Sequence, residues 1–206
     1  MKITLENIGK RYNDHWIFKN INLTIESNSA YAILGSNGSG KSTLLKVIAG
    51  YVSPSEGAIG YSVQNEKVSS DDIFRHVSLA APYMSLVDQF TLEETIHYHF
   101  KFKKSVNGVK AEEVIELLDL SKARGKRLKQ FSTGMLQRLK QGLAVLTEST
   151  ILLLDEPIAN LDKKGAEWFS KILDDHKEKR TIFVCSNHRE GEYEMCENLI
   201  EIEDYK

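Results

Sequence analysis

The chain has 206 residues, 41% of them hydrophobic and 27% charged, and a formal net charge of −2. That length allows one well-buried core, no apolar stretch approaches the roughly 20 residues a membrane-spanning helix needs, and Met1-Lys2-Ile3-Thr4-Leu5-Glu6 lacks the apolar region of a secretory leader. A near-neutral balance gives no overall electrostatic drive toward nucleic acid, which is therefore not expected as a partner, and Cys185 and Cys196 give neither a disulfide framework nor zinc-ligand spacing, so both read as packing residues in a reducing compartment.

In chain order, residues 1–34 read as short strands: Ile3-Thr4-Leu5, then, after Asn13-Asp14, Trp16-Ile17-Phe18 and Ile21-Asn22-Leu23-Thr24-Ile25, the last alternating as an antiparallel strand does. Ala30-Tyr31-Ala32-Ile33-Leu34 is an apolar strand that runs into Gly35-Ser36-Asn37-Gly38-Ser39-Gly40-Lys41-Ser42, followed by Thr43. That octapeptide fits G-x-x-x-x-G-K-[ST] at every fixed position. Its glycines let successive N–H groups turn inward around an anion, and the helix that follows through Ala49 points its positive end at the phosphates. Lys41 would reach the terminal phosphates and Ser42 would hold Mg²⁺, which predicts a nucleotide site. Gly50, Pro54 and Gly57 then mark a helix end and a turn.

A second strand pair is expected around Gly57–Val63, and Arg75–Ala81 reads as a buried strand stopped by Pro82. Thr91 with Glu94 three residues on is a capping box that opens a helix through Ile96, Tyr98 and Phe100. Ala111 to Leu120 predicts an amphipathic helix, apolar on Val114, Ile115, Leu117, Leu118 and Leu120, with Glu112, Glu113 and Glu116 outside. Ile151–Leu154 and Thr181–Cys185 are continuous apolar runs, the signature of parallel strands covered on both faces, joined by a helix over 163–178. His97 and His99 fall on different helix faces and read as surface groups, not a metal pair. The basic runs 101–104 and 122–127 read as solvated faces.

The strand ending in Asp155-Glu156 is the companion that a phosphate loop needs. Asp155 would bind Mg²⁺ or its water, while Glu156 would stand beyond the carboxyl edge of the sheet, where a base can activate a water. Phe131-Ser132-Thr133-Gly134-Met135, with Gln137-Arg138 behind it, precedes that strand by about twenty residues, and His188 closes the strand at 181–185.

The ordered set of phosphate loop, Ser-x-Gly segment with Gln-Arg, apolar-Asp-Glu-Pro, Ala-Asn-Leu-Asp and strand-terminal His resembles the ATPase subunit of ATP-binding cassette proteins across nearly the whole chain. The resemblance implies an α/β fold: a P-loop NTPase core with a mostly parallel sheet, an N-terminal antiparallel β-subdomain and a helical signature subdomain. It implies a single domain, with about 1–84 and 148–206 as the core and about 85–147 helical. It further implies that Ser132 and Gly134 of one subunit cap the γ-phosphate bound in another, that Asp162 communicates across that dimer, that His188 contacts the γ-phosphate, and that Tyr12 stacks on adenine. Ser132 read in isolation is a helix cap.

The resemblance thus predicts ATP and Mg²⁺ as cofactors, a homodimer or heterodimer of ATPase subunits, and a separate transmembrane permease that would hold the chain at the cytoplasmic face. Two departures stand out. Ala80-Ala81-Pro82-Tyr83 occupies the stretch where the family carries a metal-contacting Gln, with Gln89 seven residues farther on, and the signature has Phe131, Thr133 and Met135 in place of Leu, Gly and Gln. Slow hydrolysis is the expectation. A soluble ATPase of the same family serving a cytosolic assembly, and an ATP-binding switch with very slow turnover, remain alternatives to transport.

Overall fold

The computed structural model describes all 206 residues. It divides into two compact units, one made of Met1–Val77, Ser149–Glu156 and Lys179–Lys206, the other of Ser78–Glu148 and Pro157–Glu178.

The first unit begins with β1 (Lys2–Tyr12) and β2 (His15–Ile25), an antiparallel hairpin closed by Asn13-Asp14 with Tyr12 opposite His15. Asn13 takes a positive φ of 52°, a conformation Asn tolerates and hairpin turns require. The segments 16–18 and 21–25, separate in the sequence reading, are one strand, because register shifts in the ladder absorb the break in alternation between them. Ile3, Ile8, Phe18, Ile21 and Ile25 are completely buried. β3 (Ala30–Leu34) and α1 (Lys41–Ile48) bracket the phosphate loop. β4 (Glu56–Val63) and β5 (Glu66–Val68) then complete an antiparallel sheet of order β2-β1-β4-β5.

The expected strand at Arg75–Ala81 is shorter than its apolar pattern. Ile73–Arg75 forms a 3-10 turn, and β6 spans Val77–Ala80. Three helices follow in the second unit. α2 (Leu92–Phe102) has the complete capping box: the Glu94 N–H donates to Thr91 Oγ1 at 3.2 Å and the Thr91 N–H donates to Glu94 Oε2 at 2.8 Å. α3 spans only Ala111–Leu117, because Asp119 turns left-handed (φ 54°) and the Leu120 N–H reaches back to the Ile115 carbonyl. α4 (Thr133–Val145) starts at Ser132.

β7 (Ile151–Asp155) belongs to the first unit, α5 (Lys163–His176) to the second, and β8 (Thr181–Ser186) and β9 (Asn198–Glu201) to the first. The second sheet has order β6-β7-β8-β3-β9. β7 pairs parallel with β8, as β3 does with both β8 and β9. Ile151 through Asp155 and Thr181 through Ser186 are buried at every position, which explains their unbroken apolar runs.

One sequence expectation fails here. His99 is not a surface group: its Nε2 lies 2.7 Å from Thr147 Oγ1, and its ring meets Phe100 edge to face. Because Thr147 donates its only hydroxyl proton to the Leu143 carbonyl at 2.7 Å, it must accept from the imidazole N–H. Burial, with Lys103 adding to it, pushes the His99 pKa down to about 4, so the ring is neutral near pH 7. His97, by contrast, is exposed.

Candidate functional site

The phosphate loop owes its shape to the glycines at its two ends. Gly35 (φ 147°) and Gly40 (φ 111°) adopt backbone conformations that disfavour side chains. Each is also crowded: a Cβ on Gly40 would lie 2.5 Å from Ile17 Cγ2, and one on Gly35 would lie 2.7 Å from both Ile202 Cγ2 and Ser39 Oγ. Lys41 is 5% exposed. Its ammonium folds back over the loop, donating to the carbonyls of Gly35 and Ser36 at 2.9 Å each.

Ser39 Oγ is buried without any hydrogen-bond partner. An orphaned donor inside a glycine-lined loop, where a lost hydrogen bond costs about 1–3 kcal/mol, fits a site that takes an anion. Nucleotide phosphate therefore suits the residues present.

The strands around the loop supply the acids. The Ser42 hydroxyl bonds to the Asp155 carboxylate, which burial lifts above the ordinary Asp range, while Ser42 and Lys41 act in the opposite sense. Glu156 follows at the end of β7 with a φ of 47°, its N–H bonded to the Cys185 carbonyl of β8 at 3.0 Å. His188, two residues past β8, also has a positive φ (63°), and its Nε2 lies 3.6 Å from Glu201 Oε2. Left-handed backbone at a glutamate costs about 1–3 kcal/mol and persists where surrounding structure fixes it. Tyr12 stands at the end of β1, half exposed, with Lys10 Nζ 5.1 Å from its ring centre.

Ser132, Gly134 and Asp162 are held in the second unit. Ser132 caps α4, its Oγ accepting from the Met135 N–H at 3.2 Å, and Asp162 caps α5, its Oδ1 accepting from the Gly165 N–H at 2.8 Å. With Asp119, Arg138 and Asn160 they line a concavity of about 430 Å³. The sequence reading assigned Arg138 no role. It pairs with Asp119 at 2.8 Å and stacks over Trp168, whose indole N–H donates to the Leu117 carbonyl at 2.7 Å. These contacts tie the start of α4 to the end of α3 and to α5, and only the Gln-Arg pair after the signature hinted at them. In the stretch that lacks the family Gln, the Pro82 carbonyl accepts from Lys140 Nζ at 3.0 Å, while Gln89 accepts from Arg127 at 3.5 Å.

The family model for ABC transporters matches residues 18–159. The chain is 31% identical over 202 residues to YybJ, an ABC transporter ATP-binding protein of Bacillus subtilis, an alignment covering 97% of this chain and 92% of that one. It is 29% identical to the bacitracin transport ATP-binding protein BcrA of Enterococcus faecalis, covering 96% of this chain and 65% of that protein. Among solved structures, an ABC transporter ATP-binding protein of Pyrococcus furiosus matches over the whole of both chains, with TM-score 0.82 and 23% identity. A dimeric ATP-binding cassette in a post-hydrolysis state with ADP and Pi matches with TM-score 0.80 and 24% identity, covering 96% of this chain and 92% of that one. The chain belongs to the ABC transporter family, as an ATP-binding, ATP-hydrolysing subunit.

Proposed function

We propose that this subunit pairs head to tail with a second ATPase subunit, identical or related, so that the Ser132–Asp162 concavity of each copy covers the phosphate loop of the other. The observation that carries this reading is the orphaned Ser39 hydroxyl within a formed phosphate loop, together with a polar concavity carrying the signature serine on the other compact unit. Loop amides and Lys41 hold the β- and γ-phosphates and offset the charge that grows in the transition state. Ser42 and Asp155 would hold Mg²⁺, which supplies further neutralisation of the phosphate oxygens.

Glu156 orients the attacking water and takes its proton, which fits a carboxylate fixed at the edge of the sheet. His188 leaves Glu201 to contact the γ-phosphate. Ser132 Oγ–H and the N–H groups that open α4 donate to the same phosphate from across the dimer, helped by the positive end of the helix. Tyr12 stacks on adenine, and Asp162, whose second carboxylate oxygen is not needed for the cap, reports across the interface. Closure on ATP and opening after phosphate release do work on a separate transmembrane permease at the cytoplasmic face. No helix of this chain is long and apolar enough to cross a membrane.

Mixing two inactive variants tests the composite site. Lys41→Ala disables a phosphate loop and Ser132→Asp disables a signature, so a mixed dimer retains one site with both halves intact. Mixing should restore about a quarter of wild-type turnover per subunit, from half the dimers with one working site each. If the mixture stays as inactive as its components, the head-to-tail arrangement fails.

A further inference from the structure

β9 lies parallel to β3 with Glu201 opposite Leu34. Both strands therefore end level, and the residues after each travel side by side. The phosphate loop starts at Gly35 just where the 3-10 turn Ile202–Tyr205 starts, and three side chains from that turn and the residue after it meet three loop positions. Ile202 fills the space that a Cβ on Gly35 would need. The Glu203 carboxylate accepts from the Ser36 N–H at 3.0 Å and from the Ser36 hydroxyl at 2.5 Å, both at Oε1. Lys206 Nζ donates to the Ser39 carbonyl at 2.7 Å and to the Ile17 carbonyl of β2 at 3.1 Å.

We propose that Glu203 is a positioning residue for ATP binding: held on the turn after β9, it fixes the first residues of the phosphate loop, with Ile202 and Lys206 bracing the loop on either side. The physical need is plain. Ser36 is exposed and lies between two residues of unusual backbone freedom, Gly35 and Gly38, and its N–H takes its partner from Glu203. Its carbonyl is one of the two acceptors that hold Lys41 and also accepts from the Ser39 N–H at 3.1 Å. Fixing Ser36 therefore fixes the resting place of the lysine and the turn that presents Ser39.

Two bonds to one ionised carboxylate oxygen are stronger than neutral ones. The Ser36 hydroxyl, followed by its N–H, accordingly draws the Glu203 pKa below the usual Glu range. The carboxylate also brings a negative charge near the triphosphate. Its exposure lets solvent screen that repulsion, whereas the preorganisation of the loop is not screened, so positioning outweighs repulsion. Glu201, the residue before this turn, lies 3.6 Å from His188 Nε2.

Calorimetric titration with MgATP, alongside steady-state ATPase kinetics, tests the assignment on Glu203→Ala, Glu203→Gln, Ser36→Ala and the Glu203/Ser36 double variant. Glu203→Ala should weaken ATP binding roughly three- to tenfold, the loss falling on KM with kcat at saturating ATP within about twofold. Glu203→Gln, which keeps an acceptor without the charge, should fall between. Part of the Glu203→Ala effect should vanish in the Ser36→Ala background. Should Glu203→Ala fold poorly, the isosteric Gln variant carries the test alone. Unchanged affinity in both variants, additive effects with Ser36→Ala, or a loss confined to kcat would overturn the proposal, and tighter binding would show that the carboxylate acts as an anionic barrier instead.

Discussion

Ser132 makes two separable claims, a helix cap and a phosphate donor, and a single aspartate substitution divides them. As a cap, Ser132 Oγ accepts from the Met135 N–H at 3.2 Å, a contact whose loss to Ala costs about 0.5–2 kcal/mol. For a chain of this size that amounts to a melting temperature lower by about 1–8 °C. Aspartate accepts the same N–H and its charge suits the positive end of α4, so Ser132→Asp should melt within about 2 °C of wild type. It has no proton to donate to a phosphate and adds like charge facing it, and removing one preorganised donor typically costs about 10²–10³ in kcat. Ser132→Ala should thus lose both stability and turnover, and Ser132→Asp turnover alone. Circular-dichroism melts and a phosphate-release assay read the two effects independently. If Ser132→Asp hydrolysed ATP within about threefold of wild type, the serine would be a cap and nothing more.

His99 predicts an acid-sensitive second unit. Its folded pKa of about 4 lies below the unfolded value of 6.5, so the unfolded chain takes up the proton first. The stability that depends on the neutral ring is full above about pH 6.5 and is lost as pH falls toward 4. At pH 5 the loss should be about 1–2 kcal/mol after allowance for partial exposure. His99→Gln, which cannot titrate, should show a smaller drop in melting temperature between pH 7 and 5, and an equal drop would rule His99 out as the cause. Within the phosphate loop, Gly40→Ala should lower the melting temperature more than Gly38→Ala. Both force a side chain onto positive φ at about 1–3 kcal/mol, but only at Gly40 does the new Cβ collide, 2.5 Å from Ile17 Cγ2, while nothing lies within 4 Å at Gly38. Equal melting temperatures for the two variants would refute the packing argument.

What the sequence disclosed and what it concealed follow from how local each signal is. The strand at 30–34, the loop and α1 were legible because apolar run, glycines and helical spacing adjoin one another. The capping box at Thr91 and Glu94 was legible for the same reason, and the parallel strands β7 and β8 announced themselves by burial on both faces. The end of α3 was not, since Leu118 and Leu120 continue the apolar pattern past the last helical residue, Leu117, although the backbone turns left-handed at Asp119 between them. His99 misled because helix spacing places a residue on a face but does not say that Thr147, 48 residues away, sits there to meet it. The backbone strain at Glu156 leaves no compositional trace. Nor does the contact between Glu203 and Ser36, which are 167 residues apart and meet only through the register of β9 on β3.

The central claim is that ATP joins two copies through the phosphate loop of one and the signature of the other. The most direct test is the solution molar mass of Glu156→Gln with and without MgATP, by light scattering after size exclusion, because removing the base should trap the closed state. Self-pairing predicts a monomer of 23.4 kDa that doubles in mass on adding MgATP, and no doubling when Ser132→Asp is introduced into the same chain. A mass that stays monomeric while calorimetry shows ATP bound would contradict self-pairing.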